Sequence, residues 1–387
     1  MRALILSDVN SIHTRKWVIA LASNGITIGL FSLTKPNKNY FIGFENVQVF
    51  LFEQQASSGY PEQAYKKHFF KIIKLLNRVI KDFKPNIVHA HYASSYGLLG
   101  AMLVRKPFVL SVWGSDVYEF PKRSLFHQIL FRFNLMRAQA ITSTSHIMAK
   151  EVRRYTSKRV DVIPFGVEQS FFEIAERELG QNITIGTIKS LEIKYGIHVL
   201  LEAFALVKNR LDQPELKLRI IGEGSQADAL ILLAKKLNIC NDVEFVGTIA
   251  HEDLAIELQN IDVFTALSVD NSESFGVSVV EAMAAGKPIV VSNAGGLKEV
   301  IEANCSGLVV QMNDANEAAN ALIKLIQNKH LALKLGRAAH ERALKKYQWK
   351  YNQDQMLALY SSLLVDYSFD AEWHAEEFKI KDVFKVA

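Results

Sequence analysis

Short apolar, β-branched runs alternate with amphipathic stretches along nearly the whole chain. In the first half, the runs at 3–7, 27–32, 87–90, 108–112, 140–143 and 160–163 read as strands, and the patterns at 14–23, 64–83, 96–104 and 125–136 read as helices. The alternation breaks at VIPFGVEQSFFEIAERELGQN, where Pro and Gly join a charged stretch. It restarts with strands at 183–187, 217–221, 243–246, 263–266, 288–291 and 307–310, and helices near 198–211, 226–237, 254–259, 277–285 and 317–326. From Leu331 onward the pattern is almost wholly helical. Strands that alternate with crossover helices predict parallel sheets, so the expected fold class is α/β, two Rossmann-like doubly wound domains facing across a cleft. The expected bounds are 1–168 and 169–348, with a helical segment at 349–387 packing back towards the first domain. Ligands of such folds bind at the carboxyl ends of the strands.

Composition agrees with that picture. A chain of 387 residues, 49% hydrophobic and 22% charged, fills two cores. The two cysteines, Cys240 and Cys305, have no metal-ligand or Cys-x-x-Cys spacing, so neither a disulfide framework nor a zinc site is indicated and a reducing cytoplasm is the expected setting. The first apolar run is too short for a signal peptide, and no window approaches the ~18 apolar residues of a membrane span.

Charge changes the picture more than the net +5 suggests. Residues 1–170 carry 23 Lys and Arg against 10 Asp and Glu, whereas residues 171–387 carry 22 against 30. Much of the basic excess lies in two clusters, one running from Lys66 and Lys67 through Lys71, Lys74, Arg78 and Lys81 to Lys84, the other made of Lys122, Arg123, Arg132 and Arg137. Two readings stand: solvated helix faces, or a surface that meets anionic lipid or an anionic substrate. The clusters carry no recognised nucleic-acid-binding motif, so no nucleic-acid partner is expected.

The candidate chemistry concentrates in ESFGVSVVEAMAAG. The apolar pattern makes 277–285 a helix, ended by Gly286 and stopped by Pro288. Gly276 lets a ligand approach the backbone at the helix's positive end, where an anion is favoured. Glu273 lies just ahead of this helix and Glu281 just inside it, among Ala282, Met283, Ala284 and Ala285. A carboxylate in such surroundings requires a partner, either a nearby lysine such as Lys287 or a polar ligand.

This segment closely resembles the E-x7-E motif of the retaining glycosyltransferases of family four, which have the GT-B fold. GTIKSLEIKYGIHVLLEAF, IIGEGSQADAL, VEFVGTIAHEDL and NAGGLKEVI are also similar to family segments of the nucleotide-binding domain, and VIPFGVEQSFF to the interdomain connection. The resemblance implies that Glu281 bonds the donor ribose and Glu273 the transferred sugar, and that Lys189 and Lys194 stabilise the departing diphosphate. Lys189 stands where the family usually has Arg. Ser274, Phe275, Gly276, Val277 and Gly222 complete the implied donor set. The second domain would then bind a nucleotide sugar, UDP-linked with GDP as the other option, and the first would bind the acceptor.

In the first domain, NIVHAHYASSYGLLG and FVLSVWGSDVYEF look like the family's two loops at the cleft, but Trp113 occupies the usual His position before Gly114, Ser115 and Asp116. His91, near His89 at a strand end, is the candidate polar contact instead. Asn10, Ser11, His13 and Asp116 are candidate acceptor-binding residues, with Arg15 or Lys16 available to a phosphate; a helix cap is the structural alternative for Asn10 and Ser11.

No Asp-x-Asp occurs, so no metal and no cofactor are expected, and lysines with a helix N-terminus would replace the metal. The implied activity is retaining hexosyl transfer to a glycan or lipid-linked glycan in bacterial O-antigen, capsule or exopolysaccharide synthesis. It would take place in the cytoplasm or peripherally at the inner face of the cell membrane. A GT-B sugar-nucleotide epimerase and a non-catalytic nucleotide-sugar-binding protein are the alternatives.

Overall fold

The computed structural model describes residues 1–52, 61–103, 107–174, 178–211 and 215–370, with the backbone alone described at 61–67 and 366–370. The chain forms two units, Met1–Ile163 with Gln353–Ala387, and Pro164–Asn352. The division falls a few residues from the expected 168 and 348 because the connection pairs with the far end of the second unit. Val167 N donates to Tyr347 O, Trp349 N donates to Val167 O, and Asn352 Nδ2 donates to Pro164 O.

Among the described residues unit 1 holds seven strands: β1 (Arg2–Leu6), β2 (Thr27–Ser32), β3 (Val47–Leu51), β4 (Ile87–His91), β5 (Phe108–Val112), β6 (Ala140–Ser143) and β7 (Val160–Val162). Their spatial order is β3-β2-β1-β4-β5-β6-β7, all pairings parallel. The strand order reverses between β1 and β4, where Leu6 pairs with Ala90. Leu4, Phe31, Val88, Leu110 and Phe131 are fully buried in its core. β3 was not expected. It is an edge strand, half-buried rather than apolar throughout, so VQVFL lacks the continuous signal of the central strands.

Among the described residues unit 2 holds six strands: β8 (Ile183–Ile188), β9 (Leu216–Ile221), β10 (Val243–Gly247), β11 (Val263–Ala266), β12 (Ile289–Ser292) and β13 (Leu308–Val310). The order is β10-β9-β8-β11-β12-β13, again all parallel, with the reversal between β8 and β11. Ile185, Phe204, Leu218, Val263 and Leu322 anchor this core; burial of each such side chain contributes about 1.5–3 kcal/mol. Short helices that the pattern did not predict, such as His146–Val152, Gln169–Phe172 and Leu297–Val300, span at most two turns, too few to display a period.

The last described helix, Trp349–Asp370, carries the chain back into unit 1. There Tyr360 is fully buried and its hydroxyl lies 2.6 Å from His89 Nδ1. Residues 371–387, whose sequence with Trp373, Glu376, Glu377 and Phe378 reads as amphipathic, lie outside the described residues. Among the described residues no helix is long and apolar enough to cross a membrane.

Candidate active site

In unit 2 the polar groups converge where the strand order reverses. Lys189 directly follows β8, and Ser268 follows β11 by two positions. Lys189 Nζ lies 2.6 Å from Glu273 Oε2, and Ser268 Oγ donates to the same oxygen at 3.2 Å. Glu273 is buried, so the ammonium and hydroxyl offset the cost of removing its charge from water. The loop that carries Glu273 is held from behind by Gly296, whose N–H donates to Glu273 O at 2.7 Å.

The helix Val277–Ala284 starts at Gly276, which has φ 90° and makes no side-chain cap bond. A left-handed φ there disfavours any residue with a Cβ, so glycine fits the position for conformational reasons alone. In the first turn Ser278 Oγ is buried without a hydrogen-bond partner. Phe275 is buried with its ring edge-on to Phe165 and Tyr347, so its side chain anchors the loop and only its backbone is available to a ligand. Glu281, one turn into the helix and 3% exposed, has Oε1 at 3.0 Å from His251 Nε2. His251 packs in turn against the Phe171 ring. This histidine is the partner of the buried carboxylate, for which the sequence had offered a nearby lysine.

Lys194 sits in the short 3-10 turn Ile193–Tyr195. The Tyr195 ring lies 4.6 Å from Lys189 Nζ and 5.2 Å from Lys194 Nζ, so the residue that interrupts the family spacing contacts both cations. Gly222, with φ 137°, has its Cα beside the Lys189 carbonyl; a Cβ would come within 2.1 Å of that oxygen. Its part in the site is to let the β9 end approach the lysine loop.

In unit 1 the reversal point holds a buried polar chain. His89 Nε2 lies 2.6 Å from Ser111 Oγ, which lies 2.5 Å from Thr142 Oγ1, and His91 Nδ1 lies 3.1 Å from Ser7 Oγ. Burial pushes the His89 imidazole down to about 3, and burial with the neighbouring His89 and His13 holds His91 well below its ordinary value, so both rings are neutral at physiological pH. His91 stacks on Trp113 with centroids 4.3 Å apart, and its Nε2 is buried without a hydrogen-bond partner. The candidate polar contact thus keeps one uncommitted nitrogen. Trp113, in the position where the family has His, forms an aromatic wall that His13 and Tyr92 also touch edge-on.

Two candidate acceptor residues are engaged by bonds within unit 1. Asp116 accepts N–H bonds from Ala93, Trp113 and Gly114 and is buried, so its carboxylate ties the two loops together. Burial raises its pKa, and these three amide bonds oppose the rise. Asn10 donates to Lys35 O and accepts from Asn37 N and Tyr40 Oη, so it fastens the loop after β2. Ser11 occupies the N-cap of the helix Ile12–Ser23 but makes no side-chain cap bond. Arg15 lies over the Tyr40 ring at 4.2 Å. Sequence reasoning missed His251, Ser268 and Tyr360 as site or supporting residues; a buried carboxylate's need for a partner was the one signal that pointed towards the first two.

Two all-parallel Rossmann-like units, one with lysines and buried glutamates at its switch point, define a glycosyltransferase of the GT-B type. The model for "Glycosyl transferases group 1" matches residues 169–342, and that for "Glycosyl transferase 4-like" matches residues 2–145. N-acetyl-alpha-D-glucosaminyl L-malate synthase of Bacillus anthracis is 24% identical over 357 residues, covering 88% of this chain and 89% of its own. Among solved structures, sucrose-phosphate synthase from Thermosynechococcus elongatus aligns with TM-score 0.82 at 22% identity, covering 95% of this chain and 100% of that one. The Anabaena protein HepE in complex with UDP-glucose aligns with TM-score 0.75 at 19% identity, covering 94% and 100%. The chain belongs to glycosyltransferase family four.

Proposed function

We propose that the protein is a metal-independent, retaining glycosyltransferase that moves a hexosyl group from a nucleotide sugar to a hydroxyl of a glycan or lipid-linked glycan in bacterial surface polysaccharide synthesis. The observation that carries the reading is the Lys189–Glu273 pair at 2.6 Å, set beside the start of the helix that holds Glu281. Glu281 would accept from the ribose hydroxyls through the oxygen that His251 does not engage. Glu273 would bond the transferred sugar. Lys189, Lys194 and the helix N-terminus would take the negative charge that develops on the diphosphate, which is the work a metal does elsewhere. The bond from the anomeric carbon to the phosphate oxygen breaks, the bond to the acceptor oxygen forms on the same face, and the acceptor proton passes to the departing phosphate. No protein base is required.

The UDP-glucose complex of the Anabaena protein supports a uridine donor, with GDP as the comparison. Thermal-shift titration with nucleotide sugars, with and without EDTA, tests the reading on wild type and Glu281→Ala. Stabilisation by one nucleotide class, indifferent to EDTA and lost in the variant, is expected. Stabilisation that EDTA abolishes would remove the metal-independent part, and none with any donor would remove the whole.

A further inference from the structure

The two basic clusters of unit 1 differ in what surrounds them. On the helix Pro61–Phe83 the exposed cations Lys71, Lys74, Arg78 and Lys81 share the outer face with Asn77, the acid Asp82 and a single exposed apolar side chain, Phe70. The helix Leu125–Arg137 is different. Leu125, Ile129 and Met136 are 78%, 61% and 60% exposed, and Phe126 is 48% exposed. At about 100° per residue, Leu125, Ile129 and Met136 fall within about 40° of one another, an apolar ridge along three turns that one cation, Arg132, interrupts. Phe131, Asn134 and Leu135 point inward and are buried, so the ridge is not the helix's packing face.

Within the helix and the turn before it the charges have one sign, with Glu119 just ahead of that turn and Glu151 beside Lys122 as the neighbouring acids. From Phe120 to Arg137 the sequence holds Lys122, Arg123, Arg132 and Arg137 and no Asp or Glu. All four cations are exposed, and Arg132 falls in the ridge itself, seven positions after Leu125. Lys122 approaches Glu151 only at 3.9 Å, while Glu151 pairs with Arg154 at 2.8 Å. The helix is also tied to the candidate acceptor loop, because Asn134 Nδ2 donates to Ala93 O at 2.7 Å, two residues beyond His91.

We propose that the outer face of the helix Leu125–Arg137 docks unit 1 on an anionic lipid bilayer, with the apolar ridge entering the headgroup boundary and the four cations meeting lipid phosphates. Apolar side chains projecting beside cations with no acid among them match the chemistry of such a surface, as neither a neutral membrane nor an acidic peptide would. The inference deepens the glycosyl-transfer reading, since it brings a lipid-carried acceptor to the loop that His91 borders.

Co-sedimentation with phosphatidylcholine vesicles, with and without phosphatidylglycerol, tests this without donor or turnover, so its failure is separable from failure of the donor titration. Wild type is expected to bind anionic vesicles and not neutral ones. L125S/I129S/M136S, which changes only exposed side chains, is expected to lose at least about tenfold in partition, and Arg132→Gln about fivefold. Circular dichroism and melting of the variants check that the fold is kept. Equal binding to both vesicle types, or unchanged partition of the triple variant, would overturn the proposal. So would a dimer in sedimentation velocity that the triple variant abolishes while vesicles bind neither protein, because a second copy would then be the occupant.

Discussion

His251 Nε2 stands 3.0 Å from Glu281 Oε1, joining the loop after β10 to the middle of the helix that begins at Gly276. The bond fixes one oxygen of a buried carboxylate and so sets the direction of the other. His251 is a positioning residue in this arrangement, acting on the donor through Glu281.

Removal of that partner leaves a buried carboxylate oxygen unsatisfied, a cost of about 1–3 kcal/mol. His251→Ala is expected to raise the donor KM about 5- to 50-fold with kcat changed less than about threefold, and His251→Asn to recover part of the loss. Steady-state kinetics with varied donor checks it. A fall in kcat with KM unchanged would contradict the assignment.

Lys189→Met removes a cation placed for the leaving group. Loss of one such electrostatic contact costs about 10²–10³ in kcat, and Lys189→Arg is expected to stay within about tenfold of wild type. Single-turnover rates at saturating donor provide the measurement. Equal rates for the Met and Arg variants would assign Lys189 to structural support of Glu273 alone.

Gly222→Ala places a Cβ within 2.1 Å of the Lys189 carbonyl at φ 137°, where neither atom is a flexible side-chain end. The expected cost is upwards of about 2 kcal/mol, seen as a lower Tm and weaker donor binding together. Gly25→Ala, where no atom lies within 4 Å of the added Cβ but φ is 78°, is expected to cost only about 1–2 kcal/mol and to leave donor binding unchanged.

The neutral histidine pair makes unit 1 acid-sensitive. His89, lowered from 6.5 to about 3 by burial, binds fewer protons folded than unfolded throughout that window, so its contribution is complete above about pH 6.5 and is lost as pH falls. His91 acts in the same direction. Between pH 7.5 and 5.5 the loss from His89 is about 1.4 kcal/mol, measurable by urea unfolding. His89→Gln is expected to flatten the slope by about half, whereas Tyr360→Phe, which removes only the hydroxyl partner, is expected to lower stability at both pH values.

The central strands were legible because buried parallel strands carry short continuous apolar runs, as in ALIL of β1, FVL of β5 and IVV of β12. The edge strand β3 and the short helices carry no such run. Glu273 and Glu281 stood out as carboxylates in apolar sequence, and Gly276 as the glycine ahead of their helix. Asn10 and Asp116 were equally conspicuous at strand ends, yet their side chains serve loop backbone. Residue type and position cannot separate those two uses, since a carboxylate that ties amides and one that awaits a ligand look alike in one dimension.

The sequence by itself determined two α/β units, their approximate bounds, and the segment that holds both glutamates, because periodicity and burial are local properties of the chain. Tertiary structure alone decided the partners: Lys189 for Glu273, His251 for Glu281 across 30 positions, and Tyr360 for His89 across 271. The first pair arises from strand order, which brings the ends of β8 and β11 together at a reversal point; the second needs the turn after β10, and the third the last described helix returning to unit 1. The free energy that selects them comes from satisfying buried polar groups, a requirement each residue announces without naming what will meet it.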